Sequence, residues 1–87
     1  MTMQRRFTLT EVSKVTGVDQ STVVTFIQRE WISPVAEQEL DEEDVARIEL
    51  IHELREKFGA NDEAIPVILH LVDQLYFLRN QIRKAKP

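Results

Sequence analysis

From Ile68 onward the chain places apolar residues at alternating spacings of three and four: Ile68, Leu71, Leu75, Leu78 and Ile82. A second row, Ile65, Leu69, Val72 and Tyr76, runs beside the first. Both rows fit one helix, and a helix packed on a single neighbour needs only one of them. The doubled face therefore predicts that one side packs on the body of the protein and the other on a second copy of the helix. Asn61 or Asp62 is placed to cap this helix, and its pattern runs to about Lys84. Pro66 falls in the first turn, where a missing N–H costs little.

Upstream, the stretch FTLTEV is a helix start with two local devices. Thr8 is the N-cap and Glu11 completes a capping box, while Phe7 and Val12 stand where a hydrophobic staple needs them. The first helix should run from Leu9 to about Thr16. Gly17 then ends it in the left-handed conformation, and Asp19 is placed to cap the next helix. That second helix carries Val23, Phe26 and Ile27 on one face, followed by Trp31 and Ile32, and presents Gln20, Thr22, Thr25 and Gln28 outward. Ser33 to Leu40, with Pro34 inside it, suits a short two-stranded wing or an irregular loop.

LDEEDV repeats the earlier start signal, with Asp41 as N-cap and Leu40 and Val45 as the staple. A third helix follows to Phe58, with Gly59 as its left-handed cap. Ile48, Ile51, Leu54 and Phe58 gather on one side of it, and Glu42, Glu49, Glu53 and Glu56 line the other. Lys57 can pair with Glu53, a weak surface interaction, while Arg47 and Arg55 fall beside the apolar side. The glutamate stripe is left largely uncompensated.

Composition sharpens this picture. With 87 residues and 43% hydrophobic content, the chain is expected to form one compact domain whose core is thin for its surface. Residues 1–60 make up a helix-turn-helix with a wing, and residues 61–87 a C-terminal helix for packing and dimerisation. The chain has no cysteine, which excludes disulfides, thiolate metal sites and a cysteine nucleophile. With no apolar run long enough for a signal peptide or a membrane span, a cytoplasmic protein is expected. Nothing points to an enzyme, a cofactor or a metal: there is no glycine-rich phosphate loop, and His52 and His70 lie on different helices without a second ligand in register.

Net charge is -4, unevenly spread. Residues 1–34 hold four Lys/Arg against three Asp/Glu, residues 35–63 hold three against eleven, and residues 64–87 hold four against one. A DNA-binding domain of this size usually shows a basic patch instead.

The order helix, turn, helix, wing, helix, long helix resembles the MerR-type winged helix-turn-helix domain, a mainly α fold. The resemblance is carried by FTLTEVSKVTGVDQSTV, WISP, LDEEDVARIELIHELREKFG and the last helix, most of the chain. More closely, AIPVILHLVDQLYFLRNQI, with Ile65, Val67, Leu69, Leu71, Asp73 and Leu78, is similar to the C-terminal helix of the CbpM family of chaperone modulators. That resemblance implies binding to the J-domain of a CbpA-type DnaJ co-chaperone and inhibition of its engagement of the Hsp70 chaperone DnaK. The expected contact surface is Glu42, Glu49, Glu53 and Glu56, joined by Asp73, Tyr76 and Phe77. The alternative is a DNA-binding regulator whose dimer spans successive major grooves with Arg5, Arg6, Lys14 and Arg29 as its basic set. Without arginines on the second helix or in the wing, DNA is the less expected partner.

Overall fold

The computed structural model describes residues 5–36 and 39–85. Its four helices are α1 (Leu9–Thr16), α2 (Gln20–Gln28), α3 (Glu42–Glu56) and α4 (Ala64–Ala85). The fold is mainly helical, a winged helix-turn-helix followed by a long C-terminal helix.

Local chemistry sets the helix starts. At α1 the Glu11 N–H donates to Thr8 Oγ1 (3.2 Å) and the Thr8 N–H donates to Glu11 Oε1 (2.9 Å), a reciprocal box. Asp41 and Asp44 form the same arrangement at α3, at 2.9 and 3.0 Å. Phe7 and Val12 are both buried, as are Leu40 and Val45, so each staple is closed. At α4 the Ala64 N–H donates to Asn61 Oδ1 (2.9 Å), and Pro66 lies within the first turn of the helix.

The corner between α1 and α2 turns on Gly17, whose φ is 74°. Thr16 braces it: its hydroxyl donates to the Val12 carbonyl and accepts from the Val18 N–H. Asp19 occupies the N-cap position of α2, but its carboxylate makes no capping hydrogen bond, contrary to expectation. The corner is held instead by Thr16 and by Gln20, whose Nε2 donates to Thr10 Oγ1.

The end of α2 closes without a glycine. The Trp31 N–H reaches back to the Phe26 carbonyl and the Glu30 N–H to the Ile27 carbonyl, both at 3.0 Å. This is the Schellman pattern, and its usual hydrophobic contact is present: the Phe26 and Trp31 rings lie 5.6 Å apart. The pattern puts Glu30 in the left-handed region, with φ 63°.

In the wing, Phe7 and Leu40 exchange backbone hydrogen bonds of 2.7 and 3.0 Å, and the Glu39 N–H donates to the Ala36 carbonyl. Among the described residues the wing is thus two isolated antiparallel bridges, with no longer strand.

The core gathers Phe26, Ile32, Leu40, Ile48, Ile51, Ile65, Val12 and Val23 with no surface exposed beyond 1%. Trp31 belongs to it too. Phe58 does not. α3 ends at Glu56, Gly59 turns the chain at φ 65°, and the Ala60 N–H closes on the Leu54 carbonyl. Ala60 then packs against the core, while Phe58, placed before the turn, is 74% exposed. Of α4, Ile65 and Leu69 are buried and Val72 is half-buried; from Asp73 to Lys84 every residue is exposed. The inner apolar row thus reaches the body only through Val72, and Tyr76 lies outside.

The two capping boxes respond to pH in opposite senses. Hydrogen bonds from the Thr8 N–H and hydroxyl hold the Glu11 carboxyl below its ordinary value. Burial, reinforced by the neighbouring Asp41 and Glu43 charges, pushes Asp44 up. Glu11 therefore contributes stability above its unfolded pKa that is lost as pH falls through its folded value; ionised Asp44 is a burden at neutral pH that acid relieves. Glu11→Gln, which still reaches the Thr8 amide, is expected to lower the urea midpoint at pH 7, and Asp44→Asn to leave it unchanged or raise it. Both differences from wild type should shrink on acidification through the carboxylate range. Equal losses in the two variants at neutral pH would contradict this.

Candidate functional site

A helix that reads DNA must present cations beside its base-contacting residues. On α2, Gln20 and Gln28 are exposed but Thr22 and Thr25 are half-buried, and the Thr25 hydroxyl is engaged with the Ser21 carbonyl. The nearby cations are largely turned to internal use. Arg29 pairs with Asp62 (3.2 Å) and lies over the Trp31 ring, and Arg5 lies over Phe7. Arg6 and Lys14 are exposed.

α3 presents the opposite sign. Glu42, Glu49, Glu53 and Glu56 are all exposed, and among the described residues none is in an ion pair, Glu53 with Lys57 included. The arginines flanking them look elsewhere. Arg55 approaches Asp62 at 3.6 Å and lies over the Phe26 ring. Asp62 thus serves two arginines, one from the exit of α2 and one from α3.

Arg47 connects three segments at once. Its Nε donates to the Trp31 carbonyl (2.6 Å), and its Nη1 and Nη2 donate to the two Asp73 oxygens (2.8 and 3.3 Å). A planar guanidinium suits this forked geometry, which an ammonium group would not reproduce. One side chain so joins the exit of α2, the middle of α3 and the middle of α4.

Beside this clasp, residues of α3, α4 and the exit of α2 line a groove of about 800 Å³. Trp31, Leu50, Val72 and Tyr76 supply its apolar part, and Glu30, Glu43 and Asp44 are among its polar lining residues. Of the residues anticipated for a partner, Asp73 and Tyr76 line this groove, with Asp73 held by Arg47. Phe77 is exposed on α4 outside the groove lining, and the glutamate stripe runs along the solvent side of α3. The outer row of α4 is uncovered: Ile68 is half-buried, but Leu71, Leu75, Leu78 and Ile82 each expose more than half their surface.

Sequence reasoning missed the groove and the clasp. The available signal was an arginine on the apolar flank of α3 and a lone aspartate in α4, which carry no mark of pairing with each other.

The clasp should be asymmetric in its energetics. Asp73→Ala removes a partly exposed ion pair and is expected to cost under about 1 kcal/mol. Arg47→Ala also deprives the Trp31 carbonyl of its charged donor and strips a packed aliphatic stem, so about 2 kcal/mol is expected. Equal losses in urea unfolding would show that the Trp31 contact contributes nothing.

Comparison with curated proteins gives no match. Across residues 7–86 the chain matches the family described as MerR HTH family regulatory protein, which spans both the helix-turn-helix and α4. The fold agrees with that match, and the chain belongs to the MerR helix-turn-helix family of regulatory proteins.

Proposed function

We propose that this MerR-family chain regulates through a protein partner: it is a chaperone modulator of the CbpM kind. In this reading it binds the J-domain of a CbpA-type DnaJ co-chaperone and blocks that domain's engagement of DnaK. The observation that carries the reading is the placement of charge. Glu42, Glu49, Glu53 and Glu56 are exposed and, among the described residues, in no ion pair, while Arg29, Arg47 and Arg55 are tied to Asp62 and Asp73. A surface of this sign attracts a cationic polypeptide and repels phosphates.

Inhibition is then occlusion: the basic surface that a J-domain offers its chaperone is covered by carboxylates. On α4, Tyr76 and Phe77, at 57% and 61% exposure, offer apolar contact area to the same partner. The outer row of α4, from Ile68 through Leu71, Leu75 and Leu78 to Ile82, forms the homodimer contact in this reading. Its spacing suits a helix-to-helix seam, and its side chains are otherwise in water.

Calorimetric titration of a purified CbpA-type J-domain tests the partner. Wild type is expected to bind, and Glu49→Lys with Glu53→Lys to weaken binding about tenfold or more at low salt, less as salt screens the pair. No binding by wild type would overturn the reading; binding untouched by the reversals would remove α3's stripe from it. For the dimer, sedimentation at micromolar concentration should give twice the 10.2 kDa chain mass. A species at the chain mass contradicts it.

A further inference from the structure

The groove between α3 and α4 combines two features that a solvated surface does not require. Its lining is mixed: Leu50 and Val72, half-buried, and Tyr76, mostly exposed, form an apolar strip among Ser33, Asp44, Arg47, Asp73 and Asn80. Its lips carry Glu30 and Glu43, whose carboxylates have no ion-pair or hydrogen-bond partner among the described residues.

Glu30 is also an uncommon residue for its backbone. At φ 63° it fills the left-handed position that ends α2, where glycine or asparagine avoids a cost of about 1 kcal/mol. Capping alone does not select a glutamate there. Its carboxylate stands at the groove instead.

The occupant follows from shape and sign. A groove lined by residues of two helices and carrying an apolar strip accepts a third helix, with apolar residues inward. Two unpaired carboxylates at the rim favour lysine or arginine on that helix and disfavour acidic peptide or phosphate. Arg47, at the inner end, does not oppose this, because Asp73 neutralises it.

We propose that this groove docks a cationic amphipathic helix of the partner protein, its apolar residues against Leu50, Val72 and Tyr76 and its cations against Glu30 and Glu43. The inference takes from the preceding section only that the ligand is a polypeptide. It adds a docking site on the α4 side of α3 to the carboxylate contact on that helix's solvent side.

Trp31, the chain's one tryptophan, lies in the groove wall and reports occupancy through its emission. Full-length wild type is titrated with three probes: the purified J-domain, a designed leucine-lysine amphipathic helix, and the same helix with glutamate for lysine. The first two are expected to bind and shift Trp31 emission, and the third to bind at least about tenfold more weakly. Glu30→Asn with Glu43→Gln, which keeps the left-handed cap, should lower affinity for both binders about fivefold at low salt, and Tyr76→Ser about tenfold. The thermal midpoint of Glu30→Asn should not fall.

J-domain binding that leaves Trp31 emission and these variants unaffected overturns the groove and leaves the proposed function standing. Capture of the lysine helix alone, sensitive to the same variants, upholds the groove and overturns the J-domain reading. Binding of neither probe overturns both. If the variants instead dissociate a dimer of wild type, the groove holds a second copy and the inference fails.

Discussion

Arg47 is the group on which the arrangement of this molecule turns. α4 enters the core only through Ile65 and Leu69, with Val72 at the boundary, so little apolar burial fixes the direction in which its remaining length projects. The guanidinium supplies that direction by holding the Trp31 carbonyl with one nitrogen and Asp73 with two. Hydrophobic packing is non-directional. A forked, charge-assisted contact specifies orientation as well as energy. The groove beyond the clasp and the course of the outer seam both depend on where α4 is pinned.

The same pairing explains how the charges divide. Three arginines of the body, Arg29, Arg47 and Arg55, point to Asp62 and Asp73, so neutralisation takes place inside the fold. The glutamates of α3 gain none of that compensation and face water. A net charge of -4 thus understates how acidic one side of the protein is. Within a family of helix-turn-helix regulators, the corner between α1 and α2 keeps its form while α3 shows carboxylates outward.

Much of the fold was legible because the signals are local. Thr8 with Glu11, Asp41 before its acidic turn, and Gly17 and Gly59 each act within a few residues, and all four took their expected places. The glutamate stripe was legible from helical spacing alone. Periodicity failed at Phe58, since it does not report where the chain turns away. Asp19 has the right chemistry for a cap, yet its carboxylate makes no capping hydrogen bond. Glu30 escaped notice because a left-handed helix end is read from glycine or asparagine, and neither is there. The Arg47 to Asp73 clasp spans 26 residues of sequence, and nothing local predicts such a pairing. The groove, lined from the exit of α2, α3 and α4 together, was hidden for the same reason.

The central claim is that this family member selects a cationic polypeptide over nucleic acid. It is tested most directly by competition at physiological ionic strength, with labelled protein offered purified J-domain and genomic duplex fragments together. The account predicts that the J-domain is retained and that excess duplex does not displace it. Sequence-discriminating capture of a duplex fragment, surviving J-domain as competitor, would contradict it.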